Sequence, residues 1–248
     1  MVEFIKGLFH KAPKNRIWEL DALRGLCIIG VIIVHVVFDM TYFFNLGFKI
    51  PAWFEFIQNY GGILFVILSG ICITLGHHNI VRGLIVAACA VVVSIATIIV
   101  GDQGVVILWG ILHLLAFCML TYSLYRKLPW QAILAIAVVL IGVGIWMNHA
   151  VRVPVNYLFP IGLQPLDFYY GDYWPILPYA GFFMVGVVLG KTLYKKKETL
   201  FKKVNSQFFL IRFLSFCGRH SLLIYLIHQP LAMGVFYAVD FFKGLGSK

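Results

Sequence analysis

Leu20-Asp-Ala-Leu-Arg-Gly-Leu-Cys-Ile-Ile-Gly-Val-Ile-Ile-Val-His-Val-Val-Phe-Asp-Met-Thr-Tyr42 is long and apolar enough to cross a bilayer. It nevertheless carries Asp21, Arg24, His35 and Asp39. A transmembrane helix needs about 20 mostly apolar residues to bridge a hydrocarbon core of about 30 Å. Outward from this stretch, comparable runs occupy 61–75, 81–100, 105–125, 130–147, 175–190 and 220–242. The expected fold class is therefore all-α: a polytopic integral membrane helix bundle with about seven transmembrane helices. The composition agrees. Of 248 residues, 61% are hydrophobic and 12% charged, with a mean hydropathy of +0.91. A soluble domain holds about 45–50% apolar and about 25% charged residues, so a water-soluble protein is excluded.

The expected organisation is a basic cytoplasmic segment over 1–19, a single transmembrane domain over 20–243 and a tail over 244–248. The opening residues contain no signal-peptide core or cleavage site, so the first span is expected to be retained. Pro230 is expected to kink the last span by removing a backbone donor. Residues 205–218 read as a half-apolar helix lying on the membrane surface. The five cysteines, Cys27, Cys72, Cys89, Cys118 and Cys217, lie in or beside apolar runs without CxxC spacing. They read as packing residues rather than a disulfide or metal framework.

The formal net charge is +10, and its distribution sets the orientation. With the N-terminus inside, the cytoplasmic side receives Lys6, Lys11, Lys14, Arg16, Arg24, Arg82, Arg126, Lys127 and the basic run over 191–219. The outer side receives only Lys49, Arg152, Lys243 and Lys248. The basic excess thus belongs to the inner membrane face, and no nucleic-acid partner is implied. Two sizeable outer segments result, 43–60 and 148–174. The second holds Asp167, Asp172, Tyr173 and Trp174 among other polar and aromatic residues. Such a mixture suits a carbohydrate; an interfacial aromatic belt is the alternative.

An ionisable side chain at the bilayer centre costs about 2.5–3.5 kcal/mol, so such residues point to chemistry. Those on the spans are Arg24, His35, Asp39, His113 and His228. His35 and Asp39, at i and i+4, share one helical face, where a carboxylate can orient an imidazole and favour its protonated form. Arg24 stands eleven residues earlier on a similar face, roughly 16 Å closer to the cytoplasm. Buried His–Asp cross-linking is the bland alternative for the pair, and satisfied core histidines for His113 and His228. Three histidines also raise a metal site, for which the spacing offers no support.

The segment Arg16-Ile-Trp-Glu-Leu-Asp21-Ala-Leu-Arg24-Gly25-Leu resembles the start of the transmembrane acyltransferase superfamily, and Arg24 and His35 match the Arg-x10-His motif of acyltransferase family 3. Other segments resemble small bacterial proteins of the heparan-alpha-glucosaminide N-acetyltransferase catalytic-domain family. They are Phe65 to Ile71, Trp109-Gly-Ile-Leu-His113-Leu, Asp172-Tyr-Trp-Pro-Ile-Leu-Pro178-Tyr-Ala-Gly181 and Gly218-Arg-His-Ser-Leu-Leu-Ile-Tyr-Leu-Ile-His228-Gln-Pro230. The resemblance covers about Arg16 to Pro230. It implies transfer of an acetyl group from cytoplasmic acetyl-CoA to an acceptor at the outer face of a bacterial inner membrane, with an essential membrane histidine. The lysosomal enzymes look to carry that histidine in the loop after the first span, whereas residues 43–60 contain none and His35 lies within the span. An amine and a hydroxyl acceptor both stay open.

These readings converge on a set of roles. Arg24, Arg82, Lys191, Arg219 and His220 crowd the inner mouth, where cations suit the phosphates of CoA. His35, oriented by Asp39, is the expected general base or acetyl carrier, with His113 or His228 stabilising the oxyanion or relaying the proton. Asp167, Asp172, Tyr173 and Trp174 are the expected contacts to a small-molecule acyl acceptor, most simply a carbohydrate. The lipid bilayer is the surrounding partner, and a homodimer is compatible with it. A proton-coupled small-molecule transporter is the rival function, because intramembrane His and Asp also form proton relays. A structural or sensory membrane protein is a third reading, and it leaves the buried charges unexplained.

Overall fold

The computed structural model describes residues 16–42, 50–100, 106–150, 152–153, 157–165 and 172–246. Eight α-helices account for nearly all of them: α1 Trp18–Tyr42, α2 Ala52–Leu75, α3 Asn79–Val100, α4 Ile111–Tyr125, α5 Trp130–Ala150, α6 Ile176–Thr192, α7 Phe209–Arg219 and α8 Ser221–Gly246. Between α5 and α6, β1 (Arg152–Val153) and β2 (Gln164–Pro165) form a two-residue parallel pair. The protein is all-α and spans the membrane several times. Four helices (α1, α2, α3 and α5) are long and apolar enough to cross a bilayer, and α7 with α8 makes a fifth span if that bent pair counts as one. The apolar helices α4 and α6 have 15 and 17 residues. At 1.5 Å per residue each is roughly 22–26 Å long, short of a hydrocarbon core of about 30 Å.

Three boundaries differ from expectation for local reasons. Helix α2 starts within the supposed outer segment 43–60, because the Pro51 carbonyl accepts from the Phe54 and Glu55 amides and opens the helix there. Its first turns expose Trp53, Phe56 and Tyr60, as an interfacial collar does. Helix α4 starts at Ile111 rather than 105, because Gly110 is extended (φ −92°, ψ −174°). The sharp bend near the end of the chain, 83°, falls between α7 and α8 at His220, and α8 continues through Pro230.

Contacts divide the chain into two compact units, Met1–Phe65 with Phe201–Lys248, and Val66–Leu200. In the first unit α1 packs along α7 and against α8, around Ile28, Phe216 and Cys217, with Ile224 and Tyr225 alongside. Helix α7 buries its last turn, Ser215 to Gly218, and exposes Phe209, Leu210 and Phe213 of its first turns. Exposed apolar side chains of this kind suit the membrane interface. The α1–α7 crossing brings backbone to backbone. A Cβ on Gly218 would lie 2.8 Å from the Asp21 carbonyl carbon and 2.9 Å from the Gly25 nitrogen, and closer still to the Asp21 oxygen.

In the second unit α5 packs on α6 and α3 on α4. Its most buried side chains include Val66, Leu114, Ile133, Phe183 and Val187. Gly70 and Gly186 let α2 and α6 touch: a Cβ on Gly70 would lie 3.0 Å from the Gly186 Cα and would overlap the Phe183 carbonyl oxygen. Small residues at such crossings are how membrane helices gain close packing. Helix α3 exposes Leu84, Val91, Val92, Ile95 and Ile99, an apolar surface suited to lipid.

Candidate active site

The first unit gathers His35 and Asp39 of α1 with His228 and Gln229 of α8. Asp39 is fully buried. Its two oxygens accept from the Gln229 side-chain amide at 2.9 and 3.0 Å, so the carboxylate is held across the helix pair. Among the described residues no hydrogen bond joins Asp39 to His35, although the two share a face of α1. The His35 ring instead meets the His228 ring edge to face, with centroids 5.0 Å apart. The His228 Nδ1 lies in hydrogen-bonding contact with the Tyr225 carbonyl. A carbonyl only accepts, so Nδ1 carries the proton and Nε2 carries the lone pair. Such second-atom bonds fix the tautomer of working histidines.

Toward the N-terminal end of α1, cations surround a buried carboxylate. Arg16 pairs with Asp21 through two bonds of 2.8 and 2.9 Å, and Arg24 lies 3.9 Å from the same group. Arg219 is near enough for Asp21 to raise its pKa and Arg16 to lower it, while burial, the largest influence, pulls it down. A guanidinium stays charged throughout the physiological range. His220, at the α7–α8 bend, bonds through Nδ1 to the Phe216 carbonyl at 3.0 Å. Arg24, Arg219 and His220 are thus brought to one region of the first unit. The close Gly25–Gly218 contact sets the spacing of the arginines, each of which is the chain neighbour of one of these glycines.

The second unit holds Arg82, His113, Asp172, Tyr173, Trp174 and Lys191, and there the polar groups meet mostly protein. The His113 Nδ1 accepts from the Gly110 amide at 3.2 Å, which leaves the proton on Nε2. That nitrogen lies 3.3 Å from the Ser94 hydroxyl, which donates to the Ile107 carbonyl at 2.6 Å. His113 is therefore a cap for the start of α4, with both ring nitrogens engaged. Asp172 accepts from Trp174 Nε1 at 2.8 Å and from the Ile111 amide at 3.4 Å, placing negative charge at the positive end of α4. Tyr173 donates to the Phe159 carbonyl at 2.5 Å. Lys191 donates to the Arg126 and Leu128 carbonyls, both at 2.7 Å, and so closes the end of α4; burial lowers its pKa. Arg82 is exposed, with its guanidinium near Gly76. Asp167 lies outside the described residues.

Asp172→Ala should lower stability by about 1–2 kcal/mol. It strands the Trp174 indole N–H and uncaps α4. Trp174→Phe, which removes one of those bonds, should cost about half as much, and thermal unfolding of the two variants checks both values.

Three residues outside the expected set share these sites: Gln229, Ser94 and Trp109. Gln229 follows His228 directly, and its partner Asp39 is invisible to spacing because it belongs to another helix. Ser94 and Trp109 acquire roles only through contacts with His113 and Trp174.

Comparison with known proteins supports a single assignment. No curated protein and no solved structure matches the chain. The model of one family, heparan-alpha-glucosaminide N-acetyltransferase, catalytic, matches residues 16–230. That span includes Arg24, His35, Asp39, His113, Asp172, Arg219, His228 and Gln229, the residues around which both polar clusters are built. The chain therefore belongs to the heparan-alpha-glucosaminide N-acetyltransferase catalytic-domain family, a family of transmembrane N-acetyltransferases.

Proposed function

We propose that this protein moves an acetyl group from cytoplasmic acetyl-CoA to an amine or hydroxyl of a sugar-like acceptor at the outer face of a bacterial inner membrane. The observation that carries the reading is the paired rings of His35 and His228 beside the buried Asp39–Gln229 contact. There the Tyr225 carbonyl leaves the His228 Nε2 lone pair as the proton-accepting atom. Family membership supports the acetyl group.

His228 or His35 takes the proton from the acceptor nitrogen or oxygen as it attacks the thioester carbonyl carbon. A C–N or C–O bond forms, the C–S bond breaks, and the imidazolium returns its proton to the departing sulfur. In the ping-pong variant a histidine nitrogen first takes the acetyl group and then yields it to the acceptor. Asp39, anchored by Gln229, stands beside this pair of rings as a fixed polar partner. Arg24 and Arg219, with the His220 ring near them, form a basic cluster that fits the phosphates of the CoA co-substrate, with Arg16 paired to Asp21 beside them.

Two measurements on the detergent-purified chain test this reading. Labelled acetyl-CoA with glucosamine should give labelled N-acetylglucosamine. Saturating acetyl-CoA should also raise the unfolding temperature, because a ligand at about 100 times its Kd stabilises the folded state by about 2.7 kcal/mol. For a chain of this size that amounts to about 5–10 °C. Arg24→Ala should shrink the shift at equal ligand concentration. Absence of both transfer and shift in the wild type would overturn the reading.

A further inference from the structure

In the first unit, residues 201–213 join exposed cations to exposed apolar side chains. Backbone bonds build the two turns that precede α7: the Phe201 carbonyl accepts from the Val204 amide and the Asn205 carbonyl from the Phe208 amide, both at 3.2 Å. The Asn205 side-chain oxygen accepts from the Gln207 amide at 3.0 Å. The Phe201 ring meets Trp18 of α1, with centroids 6.4 Å apart, which ties the first turn to α1. Lys202 and Lys203 lie on that turn and Arg212 on α7, all three exposed. Phe208, Phe209, Leu210 and Phe213 are exposed beside them. From Phe201 to Arg219 the chain has four basic residues and no acidic one. The acids in the first turn of α1, Glu19 and Asp21, are buried. The charges that this segment itself presents are therefore all positive.

Charge and apolar exposure together set the chemistry of what covers this surface. Helix α7 makes an angle of 83° with α8, so with α8 crossing the bilayer α7 runs along the membrane surface. Apolar side chains there gain by entering the acyl region of any lipid. The cations add a choice of headgroup, because they attract lipids of net negative charge. A soluble anion would answer the cations and leave the apolar side chains in water. An apolar protein surface would bury the cations, which is costly. We infer that residues 201–213 are a docking surface for anionic phospholipids, with Lys202, Lys203 and Arg212 on the headgroup phosphates and Phe209, Leu210 and Phe213 among the acyl chains. None of these residues belongs to the proposed acetyl transfer, so the two readings stand or fall separately.

A local crosslink tests the surface without requiring turnover. The full chain, with the photocrosslinking amino acid p-benzoylphenylalanine in place of the exposed Phe209, is placed in nanodiscs of phosphatidylcholine with phosphatidylglycerol as the minor lipid. After irradiation, mass spectrometry of the peptide carrying position 209 identifies what was captured. Each surface cation is worth about fivefold in affinity for anionic lipid, so phosphatidylglycerol should be captured at least about tenfold above its share of the bilayer. Arg212→Gln should cut that enrichment about two- to fivefold. Lys202→Gln, Lys203→Gln and Arg212→Gln together should return capture to the bulk ratio. Raising the salt from about 0.1 M to about 1 M shortens the screening length from about 10 Å to about 3 Å and should also lower the enrichment. Capture at the bulk ratio in the parent chain, or enrichment unchanged by the three substitutions, would overturn the inference. Capture of another polypeptide or a second copy of the chain in place of lipid would overturn it too. Should the triple variant fail to fold, Arg212→Gln decides, and unchanged enrichment there counts against the surface. A triple variant that loses the acetyl-CoA-induced thermal shift but keeps its lipid enrichment would assign these cations to the nucleotide instead.

Discussion

His228→Gln leaves acetyl transfer at about a hundredth of the wild-type rate or less, with the acetyl-CoA-induced rise in unfolding temperature intact. A positioned general base contributes about 10²–10⁴ in rate. The Tyr225 carbonyl orients the His228 ring with the Nε2 lone pair as the basic atom, and glutamine retains bulk and polarity without basicity near neutral pH. His35→Gln should fall by a comparable factor if the two rings hand the proton between them, since their centroids are 5.0 Å apart. Steady-state rates with labelled acetyl-CoA give both values. Wild-type turnover in one variant removes that histidine from the proton path, and wild-type turnover in both removes the chemistry from this cluster. Preservation of the thermal shift separates lost chemistry from lost CoA binding.

The second large effect is structural. Gly218→Ala should lower stability by about 3 kcal/mol or more, and with it the unfolding temperature by about 6–12 °C. The new Cβ would overlap the Asp21 carbonyl and approach the Gly25 nitrogen, both of them backbone, and a backbone cannot rotate aside as a side-chain tip can. Gly25→Ala should behave alike, because its Cβ would strike the Leu214 carbonyl. Gly30→Ala is the control on the same helix, since nothing lies within 4 Å of a Cβ there. It should be neutral or stabilising by up to about 1 kcal/mol, as alanine is the better helix former. Equal melting points for Gly218→Ala and Gly30→Ala would mean that α1 and α7 do not cross at these glycines. The same contact spaces Arg24 and Arg219, so surviving Gly218→Ala protein should also bind acetyl-CoA less tightly.

Hydropathy made the helices and their order legible, because apolar runs of this length have few other uses. Helix ends were less so. The start of α2 at Ala52 depends on Pro51 opening a helix among interfacial aromatics, and the start of α4 depends on Gly110 adopting an extended backbone. Periodicity along α1 put His35 and Asp39 on one face, as they are, but face-sharing does not select partners. Asp39 bonds to Gln229 of another helix, and His35 meets His228. The sequence marked His113 as an ionisable group within a span. Its work as a helix cap depends on a glycine that has no side chain to cap with. Asp172, Tyr173 and Trp174 stood out as polar and aromatic, yet their hydrogen bonds hold the loop and the entry to α4.

The bond between Asp39 and Gln229 also has a consequence for how the protein is made. Its two residues are 190 positions apart. At about 5–20 residues per second, α8 leaves the ribosome about 10–40 s after α1. Throughout that interval Asp39 has no Gln229, and a carboxylate alone in hydrocarbon is costly. Helix α1 must therefore wait at the polar margin of the membrane, inside the insertion machinery, or with its carboxyl protonated until its partner arrives. Completion of this one contact is a natural checkpoint in biogenesis, and nascent chains stalled before α8 would display an unsatisfied membrane acid to the proteases that clear unfinished membrane proteins.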